Sequence, residues 1–195
     1  MARNITIWTE HHSKLLDHVM GYIKQNPKRL TNKIGDDWKD LKLVCYVDAN
    51  YASPRSTSGY VLMLAGENTF VPIEWGSKRQ AVSALSSAES ELIAAVYGAR
   101  ALLRVAGLID ETRPSEYGNI PMIMRCDNTA VLSAVKHGMS AQMAHLKRHI
   151  GVSFGFLNQI DMELQHVNTS DNCADMMTKP LAAPQLEHLC KNIVY

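Results

Sequence analysis

The sequence has no strong excess of charge of either sign and no long apolar run. Its 20 Lys and Arg residues nearly balance its 19 Asp and Glu residues, so the net charge is +1. A nucleic-acid contact would therefore have to come from local basic clusters rather than from the charge of the whole chain. No stretch approaches the roughly 18 consecutive apolar residues of a membrane span, and the N-terminus does not resemble a signal peptide. We expect no association with a membrane.

Cysteines are few, and their spacing matches neither a C-x-x-C redox motif nor a metal-binding site. The chain has four, with no C-x-x-C pair and no metal-ligand spacing. We interpret them as reduced, small apolar residues of an intracellular protein, in the cytoplasm or the nucleus.

Apolar periodicity indicates an α/β protein. A three-strand antiparallel meander is followed by alternating helices and strands, which implies a mixed five-stranded sheet with helices on both faces. The predicted strands are residues 41–47, 59–64, 70–75, 121–126 and 162–167. The predicted helices are residues 10–25, 86–106, 128–136, 145–159, 173–178 and 184–193.

Four acidic residues lie in or beside apolar runs: Asp48, Glu91, Asp127 and Asp175. Burying an ionised carboxylate is costly unless a cation pairs with it, and four converging carboxylates would repel one another. With one or two Mg²⁺ ions they would form an all-oxygen site that suits phosphoryl transfer. In α/β folds such sites gather at strand ends and helix N-termini, where Asp48 and Asp127 are predicted to lie.

Two glutamates compete for one place in this set. Glu89 and Glu91 are about 200° apart around a helix, so both cannot face one metal. Ser86 and Glu89 form an S-x-x-E pattern that predicts a capping box. Glu91 shares its face with small residues, among them Ala95 and Gly98, which would let the helix pack closely on the sheet. We therefore assign Glu91 to the site.

Each of the other acids also has a purely structural interpretation. Asp48 could simply end a strand. Asp127 could cap the following helix, a role that Asn128 could take instead. Asp175 could be an acid favoured by the helix dipole in a first turn.

The motifs, taken together and in this order, resemble the ribonuclease H domain of copia-type LTR retrotransposons. The resemblance covers about residues 40–190. The stretches that carry it are YVDA at 46–49, STSGYV at 56–61, WGSKRQ at 75–80, ALSSAESE at 84–91, CDN at 126–128 and ADMMTKPL at 174–181. One departure from the family pattern is Gly151, where an acidic residue is usual.

The resemblance implies an activity and its parts. It implies a ribonuclease H-like fold over residues 38–195, preceded at 1–37 by a helical segment that joins the domain to a reverse transcriptase. The expected reaction is hydrolysis of the RNA strand of an RNA/DNA hybrid. Two Mg²⁺ ions, for which Mn²⁺ can substitute, would be held by Asp48, Glu91, Asp127 and Asp175. The expected partner is the reverse transcriptase domain of the same polyprotein, and the expected location includes retroelement particles.

Candidate nucleic-acid contacts follow from the same resemblance and from local charge. They are Ser86, Ser87, Lys78, Arg79, Asn128, Lys147, Arg148 and His149. Hydroxyl groups could recognise the 2′-hydroxyl of RNA, and the basic residues could contact phosphates. For the two serines, helix capping remains an equal alternative.

Two other functional classes stay open. One is a catalytically inactive hybrid-binding or scaffold module derived from a retroelement. The other is a different nuclease of the same superfold, such as an integrase, although Glu91 lies too early in the chain for that. The loop at 168–172 contains no histidine that could aid product release. The nearest, His166, is predicted to lie inside a strand, as a packed or hydrogen-bonded side chain.

Overall fold

A five-stranded mixed sheet organises the chain. The computed structural model describes residues 2–27, 32–137 and 154–191. The strands are β1 (Lys42–Asn50), β2 (Thr57–Ala65), β3 (Phe70–Arg79), β4 (Met122–Cys126) and β5 (Glu163–His166). Their order is β3-β2-β1-β4-β5. The β1–β2 and β2–β3 pairs are antiparallel, whereas β1–β4 and β4–β5 are parallel. The predicted five-stranded mixed sheet is confirmed.

The helices agree with the predicted pattern, with differences at their ends. They are α1 (Glu10–Gln25), α2 (Ser87–Asp110), α3 (Thr129–His137), α4 (154–159), α5 (Asp175–Thr178) and α6 (Ala183–Cys190). Residues 145–153 of the predicted fourth helix lie outside the described residues. Helix α5 begins two residues later than predicted because the Asn172 side chain accepts a hydrogen bond from the Ala174 N–H (3.2 Å) and holds the preceding turn.

Both faces of the sheet are covered, which explains the uninterrupted apolar run of β1. Successive residues of a strand point to opposite faces. Leu43, Cys45 and Val47 belong to the larger core, with residues of α2, α3 and α4. Val44 and Tyr46 belong to a second core with Cys173 and Ala174, just before α5. A strand buried on both faces reads as continuously apolar.

Helix α2 corrects the expectation that no stretch of the chain approaches the apolar length of a membrane span. It is long and apolar enough, by length and composition, to cross a membrane. Half of its most apolar window is buried in the fold, and Leu92, Ala99 and Leu102 lie in the larger core. The apolarity of α2 is therefore that of a core helix.

Residues 33–36 of the N-terminal segment contact the turn between β2 and β3 and the start of β3. Lys33 and Phe70 exchange backbone hydrogen bonds of 3.0 and 2.6 Å. The Gly35 and Asp36 N–H groups both donate to Thr69 Oγ1. Helix α1, by contrast, contains no buried residue among those described.

Candidate active site

Neighbouring parallel strands bring two of the acids to the same edge of the sheet. Asp48 lies inside β1, two residues before its end, rather than at the predicted strand end. Asp127 directly follows β4, which pairs in parallel with β1. Carboxyl ends of parallel strands meet at one edge, so the two side chains converge although they are far apart in the chain.

Close packing of α2 on β1 places Glu91 beside the edge of the sheet that carries Asp48. A Cβ at Gly98 would overlap Val47 Cγ1 and lie 3.1 Å from Cys45 Sγ. Ala95 is buried on the same helix face. The expectation that small residues let α2 approach the sheet is confirmed, and this approach places Glu91, which lies in the second turn of α2, beside the strand edge.

Helix α5 places Asp175 next to Asp48, and Gly59 of β2 leaves the space that α5 occupies. Gly59 pairs with Asp48 in the β1–β2 register. A Cβ at Gly59 would lie 2.6 Å from Thr178 Cγ2 and 2.7 Å from Met177 Cβ. The buried Asn172 side chain donates through Nδ2 to the Val47 carbonyl at 3.0 Å. These contacts hold the start of α5 against β1, next to Asp48.

The four acids form one cluster. Carboxylate oxygens of Asp48, Asp127 and Asp175 lie within 4.8 Å of one another. One oxygen each of Glu91 and Asp127 and the Sγ of Cys126 satisfy the same limit. Asp127 therefore links the two groups. The structure brings together all four predicted side chains; their roles in binding and catalysis remain predictions.

The electrostatics of the cluster suit a divalent cation. Glu91 Oε2 is buried and has no hydrogen-bond partner among the described residues, and the buried Asp175 Oδ1 has only the Lys179 ammonium group beside it. Burial, and then the charges of Asp48 and Asp127, raise the pKa of Glu91 to about 9. Burial also raises the pKa of Asp175, although Lys179 opposes the rise. A bound cation would remove both the desolvation cost and the mutual repulsion.

Three residues contact the acids in ways that were not predicted from the sequence. Thr178 Oγ1 donates to Asp48 Oδ2, and Thr169 Oγ1 donates to Asp127 Oδ2 at 2.8 Å. Lys179 Nζ lies 2.9 Å from Asp175 Oδ1 and 3.8 Å from Asp48 Oδ2. Thr178 and Lys179 belong to the ADMMTKPL stretch at 174–181, so membership of that motif could have marked these two residues as part of the site.

The start of α2 separates Glu89 from the cluster. Ser86 is the N-cap, and its Oγ accepts from the Glu89 N–H at 3.2 Å, as the capping box predicts. The Glu89 carboxylate accepts from the Leu85 N–H rather than from that of Ser86. Glu89 thus satisfies a backbone donor at the helix start. Its carboxylate does not belong to either of the two groups of close ligand atoms described above.

The candidate nucleic-acid contacts lie in several places. Lys78 and Arg79 are exposed at the end of β3, where they line a cleft with Arg100. Asn128 Oδ1 accepts from the N–H groups of Ala130 (3.1 Å) and Val131 (3.2 Å) and so caps α3. Ser87 is exposed, and Ser86 is half-buried. Lys147, Arg148, His149 and Gly151 lie outside the described residues.

His166 is not packed, contrary to prediction. It is exposed at the end of β5, which is an edge strand. Strand alternation places it on the same side as Leu164, but that side is left open at the strand's end. The strand pattern alone could not show where the covering helices stop.

Comparison with known proteins adds relatives by sequence. No protein-family model matches the chain. The retrovirus-related Pol polyprotein from transposon RE1 of Arabidopsis thaliana is 28% identical over 200 residues, which cover 95% of this chain. The corresponding polyprotein from transposon RE2 of the same plant is 28% identical over 195 residues, again covering 95%. The chain spans only 12% of the length of either relative.

Solved structures identify the fold. Ribonuclease H1 from the archaeon Halobacterium salinarum superposes with a TM-score of 0.50 at 15% identity, covering 70% of this chain and 94% of that one. The N-terminal ribonuclease H domain of Rv2228c from Mycobacterium tuberculosis gives a TM-score of 0.50 at 11% identity, covering 77% and 97%. The chain is therefore a homologue of the retrovirus-related Pol polyproteins of plant transposons, and it has the ribonuclease H fold.

Proposed function

We propose that the chain is a ribonuclease H that hydrolyses the RNA strand of RNA/DNA hybrids during the reverse transcription of a retroelement. One observation carries this proposal: three buried acids from β1, α2 and α5 and a half-buried acid at the end of β4 converge at one edge of a ribonuclease H fold. A module without chemistry would gain nothing from such a cluster, because the burial of mutually repelling carboxylates destabilises the fold.

The donor set favours Mg²⁺ or Mn²⁺. Asp48, Glu91, Asp127 and Asp175 would hold two ions through oxygen atoms, the ligands that hard cations prefer. The neighbouring Cys126 offers a soft sulfur ligand, which hard cations such as Mg²⁺ disfavour, so the oxygen atoms are the better donors. The bound ions would supply activation of the attacking water and stabilisation of the leaving 3′-oxygen. Glu91 must release its proton for the site to fill.

Recognition of the hybrid would come from the surface beside the cluster. The Ser86 hydroxyl accepts a hydrogen bond from the helix and can still donate its proton to a 2′-hydroxyl, so capping and RNA contact are compatible. A contact from Asn128 would use Nδ2, because Oδ1 caps α3. Lys78 and Arg79, together with Lys147, Arg148 and His149, would contact phosphates.

The partner in the polyprotein would be the reverse transcriptase domain, with residues 1–37 as the connection to it. Helix α1 carries an exposed apolar stripe that the described part of the domain does not cover. Its members are Leu15, Leu16, Val19, Met20 and Ile23. Such a stripe is typical of a helix that packs on another domain. The site of action would be intracellular, in the cytoplasm, the nucleus or a retroelement particle.

A cleavage assay tests the proposal. The chain is incubated with an end-labelled RNA/DNA hybrid, with the same sequence as duplex DNA, and with each in EDTA. We expect cleavage of the RNA strand only, and only with Mg²⁺ or Mn²⁺. Equal cleavage of both duplexes, or cleavage in EDTA, would contradict the proposal. Binding of the hybrid without cleavage would support the inactive module instead.

A further inference from the structure

One lysine occupies the position of a counter-ion to the acidic cluster. Lys179 Nζ forms ion pairs with Asp175 at 2.9 Å and with Asp48 at 3.8 Å. In the part of the chain that the structure describes, no other ion pair involves any of the four acids. The side chains of Asp48 and Asp175 are 3% and 1% exposed, whereas that of Lys179 is 33% exposed. The ammonium group therefore reaches from the surface into the cluster.

The backbone fixes the direction of this side chain. Lys179 follows the last residue of α5, and its N–H donates to the Asp175 carbonyl at 3.2 Å. Pro180 comes next, and a residue before proline is restricted to extended backbone; Lys179 has φ −139° and ψ 153°. From this position Nζ lies 2.9 Å from the Asp175 carboxylate, four residues earlier in the chain. The placement of the charge follows from the local chain and does not depend on a mobile loop.

The lysine and a metal ion need the same carboxylates. Asp175 Oδ1 lies 2.9 Å from Nζ, so a metal ion that binds this oxygen must compete with the ammonium group. A divalent cation bound by Asp48 and Asp175 would lie close to a fixed ammonium charge, and like charges at such distances repel strongly in a partly buried site. Because Lys179 is partly exposed, its head group can swing to water while its stem stays packed.

We infer that Lys179 is a tethered counter-ion: it holds Asp48 and Asp175 together in the metal-free protein and is displaced when a metal ion enters the cluster. Lys179 thereby stabilises the metal-free fold and weakens metal binding. This inference rests on the metal centre proposed above, and it concerns a lysine to which the proposed hydrolysis assigns no role.

The test compares two lysines that each pair with an acid four residues earlier in the chain. Lys179→Met removes the charge and keeps the apolar stem. Lys14→Met is the matched control, because Lys14 also pairs with an acid four residues earlier, Glu10 at 2.9 Å, but on the exposed surface of α1. Two quantities are measured without nucleic acid at one pH: the melting temperature in EDTA, and Mn²⁺ affinity from the electron paramagnetic resonance signal of the free ion.

We expect opposite changes in the two quantities. Lys179→Met should lower the melting temperature in EDTA by roughly 2–6 °C and should tighten Mn²⁺ binding about 3- to 10-fold. Lys14→Met should change neither. Mn²⁺ binding that is unchanged or weaker in Lys179→Met would overturn the inference. If the wild-type protein itself binds no Mn²⁺, it is the proposed metal centre that fails.

A measurement on the wild-type protein covers the case in which Lys179→Met does not fold. An ammonium group held by carboxylates exchanges its protons slowly and gives a visible ¹⁵N–¹H signal, whereas a freely hydrated one does not. In EDTA we expect one such lysine signal, and we expect Mg²⁺ to abolish it. A signal that persists at saturating Mg²⁺, or none in EDTA, would count against displacement.

Discussion

Two glutamates of α2, two residues apart, lie in opposite electrostatic situations. Glu89 and Glu91 are equally buried, at 5% and 6% exposure. Glu89 accepts a hydrogen bond from the Leu85 N–H at the helix start, and its burial is thereby compensated. Glu91 accepts a backbone hydrogen bond from Ala49, but its Oε2 has no hydrogen-bond partner in the described chain, and Asp48 and Asp127 lie near it. The same residue type at the same depth is structural on one side of α2 and poised for a ligand on the other.

The largest expected effect separates the two residues by activity. Glu91→Gln should reduce cleavage of a hybrid to background, at least about 100-fold, because loss of even a residue that only supports a ligand costs 10- to 100-fold. Glu89→Gln should keep most activity, since Gln also serves at this position of a capping box. Initial rates with Mg²⁺ measure both. An inactive Glu89→Gln beside an active Glu91→Gln would reverse the assignment.

Close packing of α2 can be broken at a single position. Gly98→Ala should lower stability by about 1–3 kcal/mol, because the added methyl group would overlap Val47. It should also weaken metal binding by moving Glu91. Gly107→Ala is the control on the same helix, where an added Cβ meets nothing within 4 Å; it should be neutral or stabilise by up to about 1 kcal/mol. Urea unfolding in EDTA measures both. Equal effects would mean that α2 does not need Gly98.

The raised pKa of Glu91 predicts how stability depends on pH without metal. The unfolded carboxyl group ionises near its ordinary pKa, whereas the folded one holds its proton up to about 9. The folded state binds the extra proton in this window, so the Glu91 contribution is present at low pH and is lost as pH rises from the ordinary value to about 9.

Glu91→Gln removes that dependence. In EDTA at pH 8 it should be more stable than wild type by about 2 kcal/mol, or roughly 4–8 °C in melting temperature. The gain should shrink toward pH 5. Glu89→Gln should show no such pH-dependent gain. Thermal unfolding across this pH range is the measurement, and a gain that is constant with pH would show that repulsion in the cluster is not its source.

The smallest effects concern the helix start on the Glu89 side. Ser86→Ala removes the N-cap and should cost about 1 kcal/mol of stability. Ser87→Ala removes an exposed hydroxyl and should leave stability unchanged while weakening hybrid binding a few-fold, if this face contacts RNA. Chemical unfolding measures the stability of both variants, and fluorescence anisotropy measures their affinity for the hybrid and for duplex DNA. An equal loss of affinity for duplex DNA would exclude recognition of the 2′-hydroxyl.

Much of the architecture could be predicted because the apolar pattern reports burial directly. The apolar, β-favouring run from Leu41 to Val47 predicted a strand, and helical phase separated Glu91 from Glu89. Those inferences use local periodicity, which the final fold preserves. The order of motifs supplied the four acids that the fold then brought together.

The inferences that failed depended on where elements end in space. His166 alternates with Leu164, but alternation cannot tell that β5 is an edge strand. The contacts of Thr178 and Lys179 with Asp48 arise only when α5 lies across Gly59, a tertiary approach that no local pattern encodes. It was also not recognised from the sequence that α2 is long and apolar enough to cross a membrane, because the predicted helix ended at residue 106 and the observed helix continues to Asp110.

The close approach of α5 to Gly59 makes the acidic cluster depend on one long-range contact. Asp48 and Asp175 are far apart in the chain, and they lie together because α5 docks against β1, where Thr178 reaches Asp48 and Asn172 reaches the Val47 carbonyl. The completeness of the cluster therefore rests on a helix of a single turn: a change that loosens α5 removes one of the four acids.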